Sequence, residues 1–308
     1  MKFIANHEVR LDKFLTEKLN VSRNQIADLI KKSHVTVNSK TAKKNGVKLK
    51  NGDIIEVVLQ KVEKSAPTNI DFDIPVIYED EDLLVINKPP QIVVHPAPSY
   101  KLPTLVDWLK SKNYSLSTLA GEERFGIVHR IDKETSGALV IAKNNKTHAF
   151  LASQLKNKTM GRYYLFLSNI PLKSAVCVDK PIGRNPKNRL KMAIVKGAKE
   201  AKTLFVPVYE NLTAAKLYTG RTHQIRVHLH SLGRYILGDK VYGKSDDSTP
   251  RTMLHAYEIY FTHPSGKKLS IIAPLFDDFV QYFPKGFHYE KNSSISDIFT
   301  DYNGLCGK

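Results

Sequence analysis

Two apolar runs, Phe125-Gly126-Ile127-Val128 and Ala138-Leu139-Val140-Ile141-Ala142, flank the segment His129-Arg130-Ile131-Asp132-Lys133-Glu134-Thr135-Ser136-Gly137. Short apolar runs bounded by turn residues read as strand. A strand that runs into this segment and out again must turn, and Thr135, Ser136 and Gly137 supply side-chain hydrogen bonds and a permissive backbone for it. The turn explains part of the pattern. It leaves Asp132 between buried flanks, where a carboxylate needs a paired cation or hydrogen-bond donors to stay charged. On pattern alone two readings stand: a turn acid held by a neighbouring arginine, or a carboxylate kept for chemistry.

The rest of the chain limits the fold around that segment. From residue 73 to 288 strands dominate, with Leu83-Leu84-Val85-Ile86-Asn87 closed by Lys88-Pro89-Pro90, and further strands at 163–167 and 202–209. Thr104 caps a helix through Leu105, Val106, Trp108 and Leu109. Strands and helices do not alternate regularly, so the expected fold is α+β with a mixed, largely antiparallel sheet. No GxGxxG or GxxxxGK[ST] element is present to cradle a dinucleotide or a triphosphate.

Residues 1–59 read as a separate small α+β unit. Val9, Leu11, Phe14, Leu15 and Leu19 keep helical spacing, and Val21, Ile26, Leu29 and Ile30 do so again after Ser22, which forms a capping-box pattern with Gln25. The period then falls to two at 34–38 and 54–59, with Asn51-Gly52-Asp53 as a turn. Residues 60–72 lose periodicity and read as a linker. The expected organisation is a small domain at 1–59, a linker at 60–72, a main domain at 73–288 and a loosely packed tail at 289–308.

Charge points to a polyanion. The chain carries 47 Lys plus Arg against 30 Asp plus Glu, a net +17. Such a field speeds encounter with phosphate backbones and adds sequence-independent affinity; an indifferent basic surface is the alternative. Residues 1–66 hold 14 basic and 7 acidic side chains, and Lys40, Lys43, Lys44, Lys48 and Lys50 cluster without an acid between them. These lysines are expected to grip phosphates, as are Arg130 and Arg226. No apolar run approaches the roughly 20 residues of a membrane span. The N-terminus lacks a secretion signal, and Cys177 and Cys306 offer neither a disulfide framework nor a zinc cage. A cytoplasmic protein without metal or cofactor, working as a monomer on a polyanion, is expected.

Two further segments carry ionisable groups. Leu217 to Leu229 reads as a strand and turn feeding a helix that stops at Gly233, with Arg221 just ahead of the helix start, where anions bind well. Its histidines, His223, His228 and His230, read as solvent- or RNA-facing, since no third ligand has metal spacing. In Gly161-Arg162-Tyr163-Tyr164-Leu165-Phe166-Leu167, alternation sets Tyr164 opposite Tyr163 and Leu165, so one tyrosine can face a cleft while the other packs.

The segment at 129–137 resembles the signature of the ribosomal large-subunit type (RluA-type) pseudouridine synthases. Other motifs follow in the same order: Asp82 to Pro89 with Val93-Val94-His95-Pro96, then Tyr164, then Thr219 to Arg226, then Leu254-His255-Ala256 with Phe261-Thr262-His263-Pro264. Ile131 and Glu134 replace the usual leucine and aspartate, and Phe166 and Lys240 stand where smaller residues or proline are common. None of these departures removes an ionisable group. Residues 8–59 resemble the small RNA-binding domain first known from a ribosomal small-subunit protein.

The resemblance implies conversion of uridine to pseudouridine in RNA, with Asp132 as the catalytic carboxylate. It implies that Tyr164 stacks on the uracil and helps remove a proton. A salt bridge from Arg221 would keep Asp132 ionised and aimed. Large-subunit ribosomal RNA is the expected substrate because of the N-terminal module, with transfer RNA second. Among the rivals, a base deaminase would need a zinc motif that two isolated cysteines do not supply. A glycoside hydrolase would need Asp132 and Glu134 to flank a sugar independently, and strand neighbours two apart lack that freedom. A non-catalytic ribosome-assembly protein would need the basic surface but not Asp132, Tyr164 and Arg221 together.

Overall fold

The computed structural model describes residues 1–58 apart from 20 and 22, then 69–96, 100–121, 124–244, 249–288, 290 and 293–307. The expected Ser22–Gln25 capping box rests on side chains outside that set, and linker residues 60–68 lie outside it as well.

The N-terminal unit contains β1 (Lys2–Ile4), β2 (Val9–Arg10), α1 (Leu11–Leu19), α2 (Arg23–Lys31), β3 (Val35–Val37), β4 (Lys40–Thr41), β5 (Lys48–Leu49) and β6 (Ile54–Val57). Its main sheet runs β1-β6-β3-β4, and β2 pairs with β5. Leu11, Phe14, Leu15 and Leu19 form the apolar stripe expected of α1 and are buried against Ile26, Leu29, Ile30, Ile55 and Val57. Leu119, from the larger unit, is buried in this same cluster, so the two units share packing.

The larger unit continues with β7 (Val76–Glu79), β8 (Leu83–Lys88), α3 (Leu105–Ser111), β9 (Ser136–Ala142), α4 (Asn145–Asn157), β10 (Gly161–Leu167), β11 (Val176–Asp179), β12 (Ile182–Arg184), β13 (Met192–Ile194), β14 (Lys202–Tyr209), β15 (Leu212–Leu217), α5 (Gln224–His230), β16 (Leu254–Thr262), β17 (Lys268–Ile272) and α6 (Asp277–Val280). Thr104 caps α3 through a capping box with Asp107. The sheet runs β11-β14-β15-β10-β16-β9-β8-β7, with β17 added beside β16. Every pair in it is antiparallel except β9 with β16. The chain is α+β, as its irregular alternation of elements predicts.

Both faces of the central strands are covered, which explains their unbroken apolar runs. Leu84, Ile86, Leu139 and Ile141 enter the main core, whereas Leu83, Val85, Ala138 and Val140 meet Leu151 of α4 on the other face.

Three expectations need correction. Residues 125–128 are not a strand: only Ile127 bridges to Ile141, and Gly126 turns the chain at φ +72°. The reason is that β16 pairs with β9 only at Ser136 and Gly137. The remaining edge of β9 takes single bonds instead, with Ala142 N donating to Gly126 O at 2.9 Å. The tail is not loose. Ser296–Cys306 is a 3₁₀ helix, and Phe299, 1% exposed, stacks on Tyr163 with ring centres 4.8 Å apart. Glu258 accepts from Ile295 N and Ser294 Oγ at 3.0 Å, which anchors the start of that helix. Finally, Cys177 and Cys306 form a disulfide across 129 residues of sequence. Separation along the chain does not measure distance once β11 and the tail lie side by side.

No helix among the described residues is long and apolar enough to cross a membrane.

Candidate active site

The loop that carries Asp132 is held at both ends and from beneath. At its end, Gly137 adopts φ +113°, and a Cβ there would collide with the backbone of Ala256, so only glycine lets β9 and β16 meet. Ser136 Oγ lies 2.8 Å from His255 Nδ1 beside that contact. At its start, buried His129 accepts the Val140 N–H through Nε2 at 3.2 Å. Beneath it, the fully buried Lys88 donates to the carbonyls of Pro89, Ile92 and Lys133 at 2.7, 3.0 and 3.2 Å. Burial pushes the Lys88 pKa down to about 7, opposed by the charge of Asp132. Three carbonyls match the three protons of an ammonium, so the geometry favours the charged form near neutrality. Glu134 accepts from Gln91 at 2.8 Å, outside the cavity.

Asp132 lines a cavity of about 80 Å³ together with Arg130, Arg162, Tyr164, Arg221, His223 and Arg226, and no other carboxylate among the described residues lines it. The opposite wall comes from the turn into α5. Gln224 knits that turn: its Oε1 accepts from Thr219 Oγ1 at 2.8 Å and Arg221 N at 2.9 Å, and its Nε2 donates to Lys202 O and Thr203 Oγ1. Arg226, on the first turn of α5, stands with Nη1 3.6 Å from Asp132 Oδ2. Its Nε and Nη2 donate to Asp239 at 2.7 Å each. Burial pushes the Asp239 carboxyl up, but Arg226 and the N–H groups of Tyr242 and Val241 outweigh it and leave the pKa lowered.

His223 stands with Nε2 4.0 Å from Asp132 Oδ2. Burial lowers its pKa against the pull of Asp132, so the ring is neutral near pH 7. Tyr242 OH accepts the Met192 N–H at 2.8 Å and lies 2.9 Å from His223 Nδ1. The same hydroxyl also donates to Met192 O at 3.3 Å.

Asp132, Tyr164 and Arg221 all line the one cavity, but the expected ion pair between Arg221 and Asp132 is not formed. Arg221 Nε donates instead to Glu200 O at 2.9 Å. Arg221 lies in the turn ahead of α5, whereas Arg226 lies on the helix face turned toward the loop. Arg226 is accordingly no phosphate contact on the surface: it is 4% exposed. His228 is also buried, bonded to Thr203 Oγ1 and Lys180 O, while His230 is exposed. The sequence did hold a signal for both. Arg226 and His228 sit among Ile225, Val227 and Leu229 in a short helix, and polar groups buried there need partners. Arg130 is exposed at the cavity mouth, and Lys40, Lys43, Lys44 and Lys48 are exposed on the N-terminal unit.

Tyr164 is buried, and burial raises its pKa, with Arg162 opposing and Asp132 adding, so its hydroxyl keeps its proton. Tyr163 points to the other face and packs on Tyr260 and Phe299. Arg162, His223, Asp239 and Tyr242 were not singled out as site residues by sequence; three of them act through contacts between distant segments. The arrangement offers one carboxylate, one apolar aromatic wall and a surround of cations. Among the described residues, no group of three or more His, Cys, Asp or Glu side chains is placed to hold a metal ion.

Comparisons agree with this geometry. The family model for RNA pseudouridylate synthase matches residues 82–231, and that for the S4 domain matches residues 9–55. An uncharacterized RNA pseudouridine synthase of Helicobacter pylori (strain J99) is 49% identical over 96% of this chain and 95% of that protein. Ribosomal large subunit pseudouridine synthase D of Nitrosomonas europaea is 39% identical over 88% of this chain and 82% of that one. Among solved structures, human RNA Pseudouridylate Synthase Domain Containing 1 superposes with a TM-score of 0.54 at 26% identity, covering 66% of this chain and 83% of that one.

Proposed function

The chain belongs to the RNA pseudouridine synthase family, and on that premise we propose that it isomerises uridines of large-subunit ribosomal RNA in the cytoplasm, with Asp132 as the catalytic carboxylate. The single observation that carries the reading is the lone carboxylate in its cavity, faced by Arg226 and walled by Tyr164. The isomerisation breaks the bond from uracil N1 to the ribose, turns the uracil, and rejoins it through C5. The proton lost from C5 is balanced by one gained at N1. Because the detached base is itself the group that returns, no second carboxylate is needed to activate water, unlike in a glycosidase.

In this reading Arg226 keeps Asp132 ionised and oriented, and Tyr164 supplies a flat surface for the extruded uracil. Stacking on such a ring offsets roughly 1–3 kcal/mol of the cost of unstacking a base. Arg221 contributes from the cavity rim. Support for ribosomal RNA comes from the N-terminal S4 match with its exposed lysines and from relatives named for the large subunit.

The test is expression of wild-type and Asp132→Asn protein in a strain lacking its own copy, followed by carbodiimide mapping of all cellular RNAs. Pseudouridine in large-subunit RNA with the wild type and none with the variant is expected. Modification that persists with the asparagine overturns the role of Asp132, and modification confined to transfer RNA overturns the substrate.

A further inference from the structure

A second and larger cavity, about 430 Å³, adjoins the first and shares Arg130, Arg162, Leu217 and Gly220 with it. Among the described residues, four cations line it, Arg130, Lys158, Arg162 and Lys216, together with Tyr218 and Tyr260, and no Asp or Glu does. Arg162 forms the partition between the two cavities. It is 9% exposed, its Nε has no hydrogen-bond partner, and no carboxylate among the described residues is paired with it.

Its one close polar neighbour does not satisfy it. Arg162 Nη1 lies 3.4 Å from His129 Nδ1. His129 Nε2 already accepts from Val140, and burial first, then Arg162, holds its pKa well below the ordinary value. A neutral imidazole that accepts at Nε2 carries its proton on Nδ1, so it presents no lone pair to the guanidinium. The opposite wall makes room for the charge: a Cβ on Gly220 would stand 3.1 Å from Arg162 Nη2. A buried guanidinium without an acceptor is costly for a fold to keep, and its fork matches phosphate geometry.

We propose that this second cavity is a subsite for a phosphodiester adjoining the target uridine, with Arg162 as its principal donor and Lys158 and Lys216 as flanking charges. Tyr218 offers a ring face to the attached nucleotide, and the ammonium of Lys216 already lies 5.3 Å from that ring. The proposal rests on the RNA reading above and adds where the strand runs: from the uridine beside Asp132, past Arg162, toward the end of α4. Lys158 closes α4 in the left-handed conformation, φ 60°, with its side chain exposed.

The test measures binding by fluorescence anisotropy of a 5′-labelled AAUAA ribonucleotide, intact or with a single uncharged methylphosphonate at each linkage in turn. In the wild type one linkage is expected to be sensitive, losing about tenfold in affinity when its charge is removed. Arg162→Met should bind the intact RNA about tenfold more weakly and lose that sensitivity. Its melting temperature should equal or exceed the wild type's, because an unpaired buried charge is replaced by an apolar side chain. Lys158→Asn, which tolerates the left-handed backbone, should weaken the same linkage about two- to fivefold and serves if the methionine variant does not fold. Undiminished sensitivity at every linkage in both variants overturns the proposal, as does wild-type affinity in a folded Arg162→Met protein. A wild type that makes no pseudouridine in any RNA sinks the catalytic reading alone, since the phosphate measurement needs no turnover.

Discussion

Arg226 stands with one nitrogen 3.6 Å from Asp132 while its other two hold Asp239 at 2.7 Å, so the cation that faces the cavity carboxylate is itself fixed by a second, buried one. Arg226→Met is expected to lower turnover by about 10²–10³-fold, the usual loss when a fixed charge is removed from a catalytic site. It should also cost about 3–5 kcal/mol of stability, because buried Asp239 loses its cation and keeps only the N–H groups of Val241 and Tyr242. Adding Asp239→Asn, which removes the charge and still accepts from those N–H groups, should restore much of the stability without the activity, which urea unfolding and single-turnover assays read separately. Arg221→Met should cost less turnover than Arg226→Met; the reverse order would return the leading role to Arg221.

Tyr164 keeps its hydroxyl protonated by burial, which favours a role for its ring. Tyr164→Phe should therefore hold turnover within about tenfold, while Tyr164→Leu should lose roughly 10- to 100-fold, in keeping with a stacking contribution of about 1–3 kcal/mol. Equal losses in the two variants would assign the work to the hydroxyl.

Acid should unfold the protein through histidines held neutral in the core. Burial lowers His148 to about 4 and His255 to about 3, and burial with Arg162 carries His129 well down. The unfolded chain takes up these protons near pH 6.5, whereas the folded chain refuses them until far lower pH. Stability is thus full above pH 6.5 and falls as pH drops toward 4 and 3, by up to about 1.4 kcal/mol per pH unit for each histidine. Denaturant unfolding at a series of pH values checks the slope, and His148→Leu should flatten it by one proton's share.

The exposed lysines of the N-terminal unit give a prediction separable from folding. Replacing Lys40, Lys43, Lys44 and Lys48 by Gln leaves the apolar cluster of that unit intact. If each neutralises one phosphate, the slope of log affinity against log salt should fall by roughly 0.7–0.9 per lost contact. Turnover at saturating RNA should hold. Deleting residues 1–66 is the cruder experiment, because it also uncovers buried Leu119.

The residues whose partners are local were legible from sequence. Thr104 and Asp107 cap α3 three residues apart, and the alternation of 161–167 separates Tyr163 from Tyr164. Asp132 could be read as exceptional because its own neighbours are apolar. What stayed hidden depends on pairings that spacing does not encode. Nothing local joins Arg226 to Asp239, Cys177 to Cys306, or Phe299 to Tyr163. A place at a helix start points to Arg221, yet the helix face turned toward the loop gives the contact to Arg226.

The position of β16 sets when the site comes into being. β9 and β10 follow each other in sequence with only α4 between them, but in the sheet β16 lies between them, and it is made of residues 254–262. The loop of Asp132 leads into β9 and Tyr164 lies on β10, so a growing chain carries both long before the strand that joins them exists. Arg226 and Asp239 also precede that strand in sequence. Pairings of such long range form slowly and late. A chain that has not yet made residues 254–262 is consequently expected to lack the cavity that Asp132 and Tyr164 share.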